Sequence, residues 1–273
     1  MAGRITSARF VGRETGFARL AAALDQAAAG RATTVLVSGS GGVGVSRFID
    51  EAERRLAGLA ERIVVVHGRA RPSGTDAPYA PLIRALEPHL RALPDEDLAV
   101  VVGPGAEDLV RLIPELAPRL AGAGVLPPRP TIVAPERRQA RVLEGVLGVL
   151  GRLGERFPVA LVVEDLHHAD AATRALITFL ARIARSQRLC VVATYQPDAI
   201  VRSHALHANL RAIADAPRPA ERIELAPLDR RELADLIEGI EGERPSASVV
   251  VLVAERSGGV PLVAEEIVAA HRE

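Results

Sequence analysis

The sequence predicts an α/β fold: a parallel sheet of about five strands flanked by helices, followed by a small helical lid. Three observations carry this expectation. Short, continuous apolar runs rich in valine alternate with longer segments of helical period. That is the pattern of strands buried on both faces by crossover helices. A glycine-rich turn joins the first of these runs to a helical stretch. After Leu225 the strand signals stop, while helical patterns continue.

In chain order, the expected strands are Thr33–Ser38, Arg62–His67, Val159–Glu164, Leu189–Thr194 and Arg222–Leu225. Each is short, and its apolar character is continuous rather than alternating. Ser46–Leu59 is the helix that follows the glycine-rich turn. Tyr79–Ala92 and Glu107–Ala121 fill the gap before the third strand, Arg137–Glu155 leads into it, and Ala171–Arg185 leads out. Gly122–Pro135, with its Pro-Pro-Arg-Pro, reads as an exposed loop. Asp229–Ile240, Ser246–Arg256 and Pro261–His271 are the helices of the lid. The boundary falls near Ala226, giving a sheet domain over 1–226 and a partial lid domain over 227–273.

Composition narrows the function classes. Apolar content of 48% with 25% charged residues belongs to a globular chain. The formal net charge is zero, so no electrostatic footprint for direct nucleic-acid contact or an anionic membrane is visible. Every basic residue counted is arginine; the chain contains no lysine. Cys190 is the single cysteine and falls in an expected strand, which rules out an internal disulfide and reads as a small buried hydrophobe. The longest apolar run, Val249–Ala254, is far too short to span a bilayer. The N-terminal stretch has no signal-peptide core, so the expected compartment is the cytoplasm.

The glycine-rich turn reads Gly39-Ser40-Gly41-Gly42-Val43-Gly44-Val45-Ser46. It fits the phosphate-binding loop G-x-x-x-x-G-K-[ST] at every position except that of the lysine, where Val45 stands. Glycine lets backbone N–H groups converge on an anion, and the following helix N-terminus adds a favourable partial charge. Ser46 stands where a hydroxyl would ligate Mg²⁺. The missing lysine removes a charge-assisted contact of roughly 1.5–3 kcal/mol to the β/γ-phosphates. Arg47 is one residue further on, turned about 100° from Val45 around the helix, so its side chain should start away from the phosphates.

A second site lies at the end of Val159–Glu164. An apolar strand ending in two acids, Glu164-Asp165, lies beside the phosphates in P-loop enzymes. Glu164 takes the Mg²⁺ position and Asp165 that of the general base. The usual order, Asp then Glu, is reversed, which shifts both carboxylates by roughly an ångström. His167 and His168 are a weak metal pair, since adjacent side chains are expected to diverge.

The order of motifs resembles a known family. Phe10-Val11-Gly12-Arg13-Glu14 opens the series, followed by the P-loop and Pro78-Tyr79-Ala80-Pro81-Leu82. Then come Glu164-Asp165-Leu166-His167-His168-Ala169-Asp170, Ala193-Thr194-Tyr195-Gln196, and Gly259-Val260-Pro261-Leu262 with Glu265-Glu266. This series resembles the signal-transduction ATPases with numerous domains (STAND), and more narrowly the N-terminal nucleotide-binding module of large actinobacterial LuxR-type transcriptional regulators. The resemblance implies an AAA-like P-loop NTPase sheet with a helical lid, holding ADP and exchanging it for ATP. It places Gly12 and Arg13 near the adenine and Pro261 against the base or ribose. Three positions depart from the family: Val45 for the P-loop Lys, His168 for Trp, and Gln196 for the Arg that would sense the γ-phosphate. Two of these remove positive charge from one site.

These residues define the expected function: a regulatory ATP- or ADP-binding domain, with Mg²⁺ on Ser46 and Glu164 and weak or no hydrolysis. Its partners would be other domains of a larger regulator or further copies of itself, with no membrane contact. Two alternatives stand beside it. One is a slow ATPase using Arg47, or Arg211 or Arg218 from a neighbouring protomer. The other is a nucleotide-free interaction module.

Overall fold

The computed structural model describes residues 7, 9–57, 63–72, 77–126, 134–199 and 205–271. The Pro-Pro-Arg-Pro segment and the expected ends of the second helix (Leu59) and start of the second strand (Arg62) lie outside these residues.

Five strands form one parallel sheet in the order β2-β3-β4-β1-β5: β1 (Thr33–Ser38), β2 (Val64–Arg69), β3 (Val159–Glu164), β4 (Leu189–Tyr195) and β5 (Glu221–Glu224). β1 and β3 have the expected ends, and β4 is one residue longer. β5 starts one residue early and lies at the sheet edge, with only Ile223 buried. β2 also lies at an edge, is only partly buried, and runs two residues beyond its expected end. Gly68 and Arg69 continue its ladder against Val163 and Glu164, although a glycine and an exposed arginine read locally as a turn. Burial on both faces therefore holds for β1, β3 and β4 and fails at the edges.

The strands alternate their side chains between two cores, as the period of two requires. Leu36, Leu161, Val163, Val191 and Ala193 face one layer, with α3 (Ala80–Ala92), α4 (Asp95–Val102), α5 (Ala106–Leu112), α6 (Ala117–Gly122), α7 (Pro135–Arg156), α8 (Ala171–Ile183) and α9 (Ala205–Ala214). Val35, Val37, Ala160, Val162, Cys190 and Val192 face the other, with α1 (Glu14–Ala28) and α2 (Val45–Ala57). Cys190 is fully buried among these residues, and burial pushes its thiol up to about 11. It is inert core, as expected.

Three helices were not expected from the sequence: α1, α4 and α9. α1 buries Phe17, Leu20, Ala23, Leu24 and Ala27 at helical spacing, a stripe that marks an amphipathic helix. The single helix expected over Glu107–Ala121 is broken into α5, a 3₁₀ turn at Pro114–Leu116, and α6. Pro114 and Pro118 each lack the N–H that would continue the ladder.

α10 (Arg230–Glu241), α11 (Ala247–Ser257) and α12 (Pro261–Ala270) enclose a third, smaller core built on Leu228, Leu233, Leu236, Ile237, Val253 and Ala264. Asp229 and Glu232 form a reciprocal capping box at the start of α10. Gly12 lies against that box: a Cβ there would come within 2.1 Å of the Glu232 carboxylate. Gly259, at φ +77, lets the chain turn into α12 within hydrogen-bonding reach of Leu228; its carbonyl accepts from Leu228 N at 2.8 Å.

Candidate phosphate site at the carboxyl edge of the sheet

Because the sheet is parallel, the carboxyl ends of β1, β2, β3 and β4 meet at one edge, where α/β folds place their ligands. Ser38 pairs in register with Tyr195, and Arg69 with Glu164. Beyond this edge lies a cavity of about 530 Å³, a size within the range of small-molecule sites. Its wall includes Ser40, Gly42, Gly44, Val45, Ser46 and Arg47 from the loop and α2, Asp165 and Gln196 from the strand ends, and Pro261 from α12.

The loop has the geometry of a phosphate cradle. Gly42 and Gly44 take φ values of +81° and +99°, which a side chain would strain. A Cβ on Gly44 would meet no other atom within 4 Å, so the space beside it is open. The first N–H groups of α2 have no acceptor one turn earlier in the helix. Gly39 and Val43 are buried beneath the loop, where a Cβ on Gly39 would meet Val43 at 2.4 Å. Gly41 is exposed on the same turn.

The remaining expected residues fall in three groups. Arg13, at φ +73, donates Nη2 to the Val43 carbonyl at 3.3 Å. It braces the outside of the loop, whereas Gly12 lies against Glu232, and neither is among the residues lining the cavity. Arg218 donates to the carbonyls of Ala32 and Arg185, before β1 and after α8, at the opposite edge of the sheet. The exposed Arg211 is on α9. The rings of His167 and His168 do not diverge as expected but lie 4.0 Å apart, with Nδ1 of His167 accepting from Gln196 N at 3.4 Å.

Arg47 is committed elsewhere, as its position on the helix implies. Its Nη1 donates to Glu265 Oε1 of α12 at 2.9 Å, and its Nη2 donates to the carbonyls of Ser7 and Arg9. Glu265 is buried and also accepts from Ser7 N at 3.3 Å. A backbone bond from Leu262 N to Gly42 O at 3.2 Å ties α12 to the loop directly.

The acidic strand end holds residues that sequence reasoning missed. Glu164 is completely buried. Its Oε1 accepts from His67 Nε2 at 2.9 Å and from Arg69 Nε and Nη2 at 3.0 and 2.5 Å. Burial alone would raise this carboxyl, but hydrogen bonds from His67, Arg69 and Ser46 outweigh it and hold the group below its ordinary value. Asp165 adopts a left-handed backbone (φ +58) and donates its N–H to Thr194 Oγ1 at 3.0 Å. That conformation costs a non-glycine residue about 1–3 kcal/mol and is fixed here by its neighbours. Arg69 Nε stands 3.8 Å from Asp165 Oδ2.

His67 is held between two carboxylates, with Nε2 on Glu164 and Nδ1 2.8 Å from Glu53 Oε1. Only the imidazolium can donate from both nitrogens. The bond to Glu164, then that to Glu53, raises its pKa from 6.5 to about 9 against the effect of burial. A raised histidine stabilises the fold fully below its unfolded pKa and loses that contribution as pH rises through the folded one. Stability should therefore fall between pH 6.5 and about 9, by on the order of 1–3 kcal/mol. Urea unfolding across that interval checks this, and His67→Gln should flatten the profile.

The Mg²⁺ expectation meets an obstacle in these contacts. Ser46 and Glu164 do come together, and Glu164 Oε2 is a buried atom with no hydrogen-bond partner of standard geometry. Yet a guanidinium stands against the same carboxylate. Among the described residues, no group of three or more His, Cys, Asp or Glu is arranged to hold a metal ion. With an imidazolium and a guanidinium on its Oε1, Glu164 as arranged does not fit a divalent cation. Among the same residues, no helix is long and apolar enough to cross a membrane.

Comparison with known proteins agrees with this architecture. A Walker-type ATPase of Pyrococcus abyssi is similar over 96% of this chain and 68% of its own, at 14% identity and a TM-score of 0.54. A structure of Drosophila ORC bound to DNA is similar over 95% of this chain and 54% of its own, at 15% identity and a TM-score of 0.50. At such identities the likeness establishes the fold. In sequence, an uncharacterized protein of Rhizobium meliloti (strain 1021) is 28% identical over 256 residues; the match takes in 89% of this chain but only 23% of that relative. Residues 9–192 match the AAA ATPase domain, from the motif before α1 through most of β4. The chain belongs to the AAA ATPase domain family.

Proposed function

We propose that this chain is a regulatory ATP/ADP-binding domain of the STAND type, a conformational switch with weak or no hydrolysis. One observation carries the reading: the cavity is walled on one side by the P-loop and on another by Pro261 and Glu265 of the C-terminal helices. A nucleotide held there would touch both parts, so its binding would bias how they sit together. The division near Ala226 into a sheet domain and a lid belongs to this proposal, supported by the separate core of α10–α12.

Weak hydrolysis follows from charge. Val45 and Gln196 supply none, and both arginines lining the cavity are held by carboxylates, Arg47 by Glu265 and Arg69 by Glu164. Little cationic stabilisation remains for a phosphoryl group in flight. The backbone cradle can still hold a diphosphate. The motif order supports a place in a LuxR-type transcriptional regulator, where the domain would contact other domains or copies of itself. The alternative of a nucleotide-free module draws on the Arg47–Glu265 pair, which joins α2 to α12 by side chains alone.

Calorimetric titration of ADP and ATP into the chain tests the reading, together with thermal melts at millimolar nucleotide. Saturable binding and a raised midpoint are expected, because a ligand of the native state must stabilise it. An unmoved midpoint would leave the interaction module as the function. Sustained turnover at the rate of an ordinary ATPase would overturn the proposed loss of hydrolysis.

A further inference from the structure

Parallel register places Arg69 beside Glu164, and its guanidinium donates twice to one carboxylate oxygen. The same group stands 3.8 Å from Asp165. It lines the cavity with Ser46 and with Asp50, one turn further along α2. A permanent cation is thus tethered among the hydroxyl and the carboxylates that would surround a hydrated divalent ion. His67 fills a further approach to the same oxygen, at 2.9 Å. With an imidazolium and a guanidinium already on this carboxylate, a divalent ion would be repelled by both, and arginine does not deprotonate to make room.

We propose that Arg69 is a built-in counter-ion occupying the divalent-cation position, so that this site takes a nucleotide polyphosphate without metal. Glu164 is then the anchor of Arg69 rather than of Mg²⁺. The guanidinium, about half exposed, faces the cavity, where it can meet phosphate oxygens as a planar donor. The nucleotide part of this inference rests on the function proposed above; the metal part does not.

The test uses Mn²⁺ alone as probe, followed by electron paramagnetic resonance and calorimetry, on the whole chain and on Arg69→Ala and Arg69→Lys. The native chain and Arg69→Lys should show no saturable Mn²⁺ site up to millimolar concentration, whereas Arg69→Ala should gain one at least about tenfold tighter. If Arg69→Ala fails to fold, Arg69→Gln, which keeps a donor to Glu164 without the charge, makes the same comparison. Tight Mn²⁺ binding by the native chain, or no gain in the neutral variants, overturns the proposal. A second arm titrates ADP with EDTA and with excess Mg²⁺. Native affinity should agree within about threefold, and Arg69→Ala should become Mg²⁺-dependent. A large Mg²⁺ dependence in the native chain would also overturn it. If ADP does not bind at all, the nucleotide reading fails, while the Mn²⁺ comparison still decides whether Arg69 takes the metal's place.

Discussion

Replacing Glu164 with alanine should cost the fold about 3 kcal/mol, measured by urea unfolding at neutral pH. The carboxylate is completely buried, and a buried charge is tolerated only when it is paired and hydrogen-bonded. Here the pairing is threefold, through His67 Nε2 and two nitrogens of Arg69. Its removal leaves an imidazolium with one carboxylate where it had two, and a cavity at the end of β3. Breaking a buried pair by deleting one partner typically costs about 3–5 kcal/mol. The lower end applies because Arg69 is about half exposed and can return to water. Glu164→Gln keeps an acceptor of similar shape and loses only the charge, so it should lie between the native chain and Glu164→Ala. The alanine variant should also lose most of the pH dependence between 6.5 and about 9 that His67 confers, since the strongest contact raising that histidine is gone. A stability unchanged by Glu164→Ala would mean that the network contributes nothing, and that Glu164 is free to serve a ligand.

How much of this network could be read from the sequence depends on a shift of two residues. The buried strands β1 and β3 fell where continuous apolar runs placed them, because a strand covered on both faces has no polar position to blur its ends. The loop and the acidic pair were likewise legible, each being a local pattern anchored to a strand end. The apolar run of β2 ends at His67, before the glycine and arginine that extend the strand. The partners that hold Gly68 and Arg69 in the sheet are Val163 and Glu164, almost a hundred residues away, and no local signal reports such a register. Arg69, the cation that most affects the acidic site, thus lies beyond the strand that the sequence predicts. Val45 and Gln196 do remove positive charge from their positions, but Arg69 keeps a cation on the cavity wall. Arg47 illustrates the opposite case. Helical geometry alone turned it away from the phosphates, and the structure supplies the reason it stays away, in Glu265 and the carbonyls of Ser7 and Arg9.

Val45→Lys should tighten ADP binding by about ten- to a hundredfold, read by calorimetry against the native chain. Val45 opens α2, lines the cavity and is only partly buried. A lysine stem can follow the path of the valine before its ammonium reaches the cavity, with little packing lost. Arg47 cannot do the same without first leaving Glu265, and Arg69 can offer phosphate only what it does not already give to Glu164. The added ammonium would be the uncommitted cation of the site. A charge-assisted bond to phosphate contributes about 1.5–3 kcal/mol, which sets the expected gain at one to two orders of magnitude. The acids nearby limit it, because Asp50 and Asp165 line the same cavity and would draw the lysine when no phosphate is bound. The gain should still shrink as salt screens the attraction between ammonium and phosphate, and should be larger for ATP, with its additional phosphate, than for ADP. Equal affinities in the native and Val45→Lys chains would show that an ammonium at position 45 does not reach the phosphates. A gain confined to Val45→Lys, with no binding by the native chain, would identify a pocket whose shape persists while its chemistry is switched off at a single side chain.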